Sequence, residues 1–225
     1  MNGIRTRADK TVAAARPARF RLQIFHYWSG LLLAVFILVH LANHLVALGG
    51  AAAHQATMAT LRVVYRHPAV EALLLLAVAG QGFTGLRLYW LRRRHPHGSV
   101  AERVQLWSGL YLAFFLLVHT GAVLTGRAWL GLDTNLYFAA AGINTWPFSL
   151  FFVPYYFLAV VAVFLHLASL HYQKASPLFG PRRARRHAWG VAGAGVAVAL
   201  LILLGMSNRL QGLPIPPRYL KALGR

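Results

Sequence analysis

The chain has 225 residues, 58% hydrophobic and 12% charged, with a mean hydropathy of +0.52. A soluble domain carries roughly a quarter charged residues, and here the apolar residues fall in long runs, which is the pattern of a membrane protein. The net charge of +19 gathers in Arg5 to Arg21, Arg87 to Arg103 and Lys174 to Arg186, which argues for membrane topology and against a nucleic-acid partner, and the absence of cysteine excludes disulfides, thiolate zinc sites and ordinary iron–sulfur clusters.

The expected architecture is all-α: a single membrane domain, residues 1–225, built as a five-helix transmembrane bundle. A basic N-terminus, 1–22, precedes span I at about 24–48. An Arg-rich start followed by an apolar run also reads as a signal peptide, but the run is long for one and is interrupted by His40, Asn43 and His44. Span II covers about 69–91 and opens on His67-Pro68, with Glu71 in its first turn; proline at the first helical position and an acid near the positive helix end explain both. Span III covers about 105–125. The segment Arg127 to Ser149, with Trp129, Tyr137 and Trp146, is expected on the outer interface. Span IV covers about 150–172 and span V about 188–206. The tail, 207–225, contains Leu213 to Pro217, which reads as an extended exposed segment.

Each span reaches the roughly 20 residues that a helix needs to cross the hydrocarbon. Six, four and five Lys/Arg precede span I, link II to III and link IV to V, against two, one and four on the other side, with Arg87 free to snorkel to the first side. The N-terminus is therefore expected in the cytoplasm and the C-terminus outside, in a bacterial-type inner membrane. Trp28, Trp90, Trp107 and Trp189 fall at the inner ends, where indoles favour the headgroups.

Spans I and III repeat one another. Trp28-Ser29-Gly30-Leu31 through Val39-His40 aligns with Trp107-Ser108-Gly109-Leu110 through Val118-His119, ten of thirteen positions identical at an offset of 79. Twelve residues from Trp to His is about 18 Å of helix, so both imidazoles lie within the bilayer at one depth on parallel helices. Ionisable residues are costly there and usually functional, although each histidine could simply bond a neighbouring helix. Two such imidazoles can approach a flat cofactor from opposite faces. Zinc would want further protein ligands, and none of the four acidic residues is deep in a span, so haem b, which needs only two axial nitrogens and an apolar slot, fits better. With both iron positions filled, the expected chemistry is electron transfer, with no complete active site in this chain alone.

Other polar residues admit two readings. Ser29 and Ser108 sit beside glycine where small residues let helices pack, or contribute hydroxyls to a quinone pocket at the inner interface. His44, one turn beyond His40, bonds a haem propionate or faces the interface. His166 lies deeper toward the inner side, whereas His26 and His171 lie near helix ends. Arg87, Arg92 and Arg93 set topology, pair with propionates or dock a soluble partner.

These segments resemble the cytochrome b anchor subunit of succinate dehydrogenases and fumarate reductases, of the five-helix single-polypeptide type. The resemblance covers roughly residues 20–172. It rests on Phe25 to Gly30, Leu38 to His44, Gln105 to His119, and Val163 to His166 with Ala168 and Ser169. It implies a flavoprotein and an iron–sulfur subunit docked on the inner face, with lipid around the spans and electrons exchanged with membrane quinone. It also implies one haem between His40 and His119, and a second between His166 and a histidine of span II. Span II departs from this pattern: it reads Gly80-Gln81-Gly82 at that position, and Gln81 is a poor haem ligand. Either the second haem is absent, or His166 has another partner such as His26. A haem-free quinone-binding anchor is the competing expectation, and a transporter or membrane scaffold a more distant one.

Overall fold

A computed structural model describes residues 7–92 and 98–225, with side chains described from residue 19 onward. Arg5 and Arg93 lie outside the described residues. The chain forms α1 (Arg7–Val46), a short 3-10 turn (Ala47–Gly49), α2 (Ala51–Tyr65), α3 (Pro68–Arg92), α4 (Val100–Ala128), α5 (Leu136–Asn144), α6 (Ser149–Phe179), α7 (Pro181–Met206) and α8 (Pro217–Ala222). Five of these helices are long and apolar enough to span a membrane, α1 from Arg19 onward, then α3, α4, α6 and α7.

Local chemistry sets the ends. Pro68 opens α3 with its missing N–H at a position that has no intrahelical partner, and Glu71 in the first turn pairs with Arg127 of α4. Ser99 and Glu102 form a reciprocal capping box at the start of α4. Asn135 caps α5 by accepting from the Tyr137 N–H at 3.0 Å. Helix α6 runs seven residues past the expected span, through Pro177, and ends only at Gly180. There the backbone turns through φ +78°, which glycine adopts freely, and Pro181 starts α7 at once.

The five long helices form a ring. Helix α1 packs on α3, α3 on α4, α4 on α6, α6 most extensively on α7, and α7 returns to α1 and the Ala47–Gly49 turn. Among the described residues, α1 makes no backbone approach to α4 or to α6, so these helices face one another across the interior. Large apolar side chains point outward, Leu38 at 70% and Leu117 at 75% exposure. Such an arrangement suits lipid and would be unfavourable in water.

The two ends of the ring differ. One end, the basic end, carries the first turns of α7 with Arg182, Arg183, Arg185 and Arg186 exposed, and the Arg92–Glu102 ion pair between α3 and α4. The other is closed by α2, α5, α8 and the Ala47–Gly49 turn, and we call it the capped end. Its core joins Ala47, Leu136, Ala140, Ile143, Val160, Ala199, Ile202 and Met206. The segment after Arg127 thus holds a buried helix rather than a surface loop. The tail also departs from the sequence expectation. Leu213 donates its N–H to Asn144 Oδ1 at 3.0 Å, and Tyr219, 1% exposed, donates its hydroxyl to the Asp133 carbonyl at 3.0 Å. Residues 212–216 form neither helix nor strand, but Ile215 packs against the core and Pro217 starts a helix.

Candidate functional site

The repeat brings His40 and His119 together. Their ring centres are 6.2 Å apart with planes at 69°, across the interior between α1 and α4. Each is backed by a phenylalanine one turn earlier, Phe36 stacking on His40 at 5.5 Å and Phe115 on His119 at 5.1 Å. Phe36 and Phe115 are themselves equivalent in the repeat. A shared i, i+4 pair on each helix therefore fixes each imidazole by stacking, leaving its other face toward the interior.

Around this pair lies a polar group that sequence reasoning reached only in part. His44 turns inward, with its Nε2 3.2 Å from His40 Nε2, rather than facing the interface. His54 of α2 is 1% exposed, 5.3 Å from the His44 ring, and its Nε2 meets the Asn43 amide at 3.2 Å. His44 Nδ1, His54 Nδ1 and Asn43 Oδ1 are buried without a hydrogen-bond partner among the described residues. Three unmatched polar atoms in one place are unusual for a folded interior. The signal for Asn43 was its position one turn after His40. His54 gave none, because a histidine in a short inter-span segment reads as solvated.

Arg62 of α2 and Arg66, just after the end of that helix, bind Asp133 beside this group, Arg62 at 2.8 Å. Burial alone would raise the Asp133 carboxyl, but the hydrogen bond from Arg62 and the charges of Arg62 and Arg66 outweigh it and hold it below the ordinary value. Burial first, and the Arg62 charge second, lower His54 from 6.5 to about 4. Between those values the unfolded chain binds a proton that the folded one does not. Stability from this residue is thus complete above pH 6.5 and is lost as pH falls toward 4, by up to about 3 kcal/mol. Thermal unfolding in detergent should show a lower midpoint at pH 5 than at pH 7.5, and His54→Gln should flatten that dependence.

Closer to the basic end the two halves carry exchanged residues. In the repeat, His26 of α1 corresponds to Gln105 of α4. Gly30 of α1 receives Gln81 of α3, and the equivalent Gly109 of α4 receives His166 of α6. Each half therefore contributes one histidine and one glutamine at this level, in opposite places. Gln81 Oε1 is buried without a hydrogen-bond partner among the described residues. Ser108 is buried, donates to the Val104 carbonyl at 2.6 Å and touches His166 Nδ1 at 3.3 Å, while Ser29 donates to the Phe25 carbonyl at 2.8 Å. The small-residue reading thus accounts for Gly30 and Gly109, and the serines bond their own helices. Arg87 is exposed near the end of α3, and His171 is exposed beside His187, ring centres 5.7 Å apart.

The residues near His40 can be tested against the groups considered. Among the described residues, no three His, Asp or Glu side chains converge to hold a bare metal ion. A haem asks only for two imidazole nitrogens, each about 2 Å from iron, which with a ring radius of about 1 Å sets the ring centres about 6 Å apart. His40 and His119 meet that spacing, and ligation through His40 Nε2 would compete with its contact to His44. The unmatched atoms of Asn43, His44 and His54, with Arg62 nearby, offer polar partners to the rim of such a group.

No protein-family model, curated protein or solved structure matches the chain. Its function must be read from the site itself.

Proposed function

We propose that the chain is a haem b-carrying membrane anchor that moves electrons between a soluble flavoprotein and iron–sulfur pair and membrane quinone, as in succinate dehydrogenases and fumarate reductases. One observation carries this reading: His40 and His119 are repeat-equivalent, equivalently stacked, and 6.2 Å apart between two helices whose backbones, among the described residues, do not approach one another. Bound there, haem would supply a one-electron couple, tuned by the apolar walls and by hydrogen bonding at its edge. His40 and His119 would hold the iron, and the group formed by Asn43, His44, His54 and Arg62 would receive the carboxylates. The bias of Lys and Arg supports placing the basic end in the cytoplasm, with the capped end and the C-terminus across a bacterial-type inner membrane. The exposed arginines of α7 and Arg87 then offer the docking face for the soluble subunits. Quinone would enter from the lipid at the level of Ser29 and Ser108.

The test is the dithionite-reduced minus oxidised spectrum of the detergent-purified chain, followed by reoxidation with a soluble quinone. A b-type α-band that quinone abolishes is the expected result. A second reading, a haem-free quinone-binding anchor, draws on Gln81, an uncharged amide buried where the resemblance places a ligand. Absence of any haem band, with retained quinone binding, would select it.

A further inference from the structure

Helices α6 and α7 continue beyond the apolar span at the basic end as a paired hairpin. Indoles settle among lipid headgroups, and Trp189 of α7 is 72% exposed where the basic first turns give way to an apolar run. From Trp189 back to Pro181 is eight residues, about 12 Å of helix. The headgroup layer is only about 5–8 Å thick on each side of the hydrocarbon. The tip of the hairpin, Leu178 to Pro181, therefore stands in water, clear of the lipid. Ala175 of α6 and Ala184 of α7 are buried at this height, so the two helices stay packed together up to the tip.

The tip shows water two features that it does not need for its own stability. Leu178 is 76% exposed and Phe179 55%. On the lipid-facing flank of a span such exposure is favourable. At the end of a projection into water, adjacent large apolar side chains have the form of an anchor that fills a partner's pocket. The second feature is charge. Successive helix positions turn by about 100°. With Ala184 packed against α6, Arg182, Arg183, Arg185 and Arg186 fill the remaining directions, and all four are exposed. Among the described residues none of them enters an ion pair, and the first turn of α7 holds no acid. Cations there also oppose the positive end of the helix, where an anion would be favourable. Positive-inside topology accounts for basic residues near a membrane. It does not account for a helix pair carried on through Pro177 to an apolar tip. An apolar socket rimmed by carboxylates matches both features at once.

We propose that the α6–α7 hairpin is the docking post for a soluble protein, with Leu178 and Phe179 entering an apolar socket and Arg182, Arg183, Arg185 and Arg186 meeting carboxylates on its rim. This rests on the reading that the chain anchors soluble subunits at its basic end, and it assigns the anchoring contact to particular side chains. The arginines would attract and orient the acidic partner, and the apolar pair would hold it. A lipid surface does not fit the tip, because Trp189 marks the headgroups and the tip lies beyond them.

The chain has no cysteine, so one introduced thiol reports on a single place. Arg182→Cys leaves Leu178 and Phe179 intact. It is treated with a membrane-impermeant maleimide in open fragments of its native membrane, and as purified full chain in liposomes of the extracted lipid, opened by freeze–thaw. Labelling in the liposomes is expected, with its loss in the native fragments and its return after a high-salt wash that screens the charge contacts. Adding Leu178→Asp and Phe179→Asp should restore labelling without the wash. Val100→Cys, at an exposed position that opens α4 at the same end, is the companion. If Val100→Cys is protected in native fragments and Arg182→Cys is not, the hairpin proposal falls and the anchor reading stands. If neither is protected, no soluble partner sits on the basic end and both fall. Failure of Arg182→Cys to label in liposomes would put the tip in lipid or against a second copy, and overturns the proposal. Protection that survives the wash or the double aspartate variant overturns it as well.

Discussion

Alanine at His40 or at His119 should each remove the haem proposed for the capped end, and the two variants should be spectrally alike. The reason is the two-sided geometry. The rings stand 6.2 Å apart, each pinned by its own phenylalanine, and among the described residues α1 and α4 make no backbone approach to one another. The surviving imidazole would hold iron on one face only; because His44 Nε2 lies 3.2 Å from the nitrogen removed in His40→Ala, that variant is read beside His40→Ala combined with His44→Ala. Truncating Phe36 or Phe115 should act more gently, since stacking orients the ring without binding the metal: retention of haem with a shifted midpoint is expected. His119→Met tests the role directly, because a thioether can replace an imidazole as ligand while raising the potential. Normal haem content in both alanine variants would remove the basis for the electron-transfer reading. A matched loss, with the protein still monodisperse in detergent, would support it.

Leucine at Gly205 should be the most destabilising single change away from that site. A Cβ at this position would stand 2.9 Å from the Leu48 backbone nitrogen and 3.0 Å from the Ala47 carbonyl carbon. Those atoms belong to the turn that ends α1, and a backbone cannot swing aside as a flexible side chain does. Helix α7 closes the ring of helices here, against a core that includes Ala47, Ala199, Ile202 and Met206. Forcing an isobutyl group into this contact must part α7 from the turn, at a cost of about 3 kcal/mol or more. Gly121 of α4 is the control. Nothing lies within 4 Å of its Cβ position, so leucine there should be neutral or gain the fraction of a kcal/mol that helix propensity provides. Thermal unfolding of the pair in one detergent checks both. Equal midpoints would show that the ring is not closed through this glycine.

Much of this was legible from residue order because hydropathy and repetition are local properties. Each long helix needs only a sufficient apolar run, and the Trp-Ser-Gly to His repeat marks equivalent depths whatever the helices pack against. The capped end was not legible in this way. Helix α5 is nine residues, too short to register as a span, and its burial depends on Asn144 meeting Met206 and Leu213, more than sixty residues later. The tail looked exposed because prolines punctuate it, yet Ile215 and Tyr219 have apolar surface to cover, and the cap provides the cover. His54 became a buried residue only through the folding of α2 onto the end of α1. The partner of His26 was similarly hidden. Thr84 carries no signal by itself, and only the α1–α3 register brings its hydroxyl to the imidazole.

The cap also bears on how the protein is made. It is tied by bonds between segments far apart in the chain: Arg62 with Asp133, Asn144 with Leu213, and the Asp133 carbonyl with Tyr219. The last two need residues that follow the fifth crossing, so the cap can close only after every helix is inserted. A prosthetic group destined for the slot between α1 and α4 would meet an open doorway during biogenesis and a shut one afterwards. For the haem proposed above, loading at that end would be an assembly step rather than a reversible equilibrium, and maturation, not affinity alone, would decide how fully the site is filled.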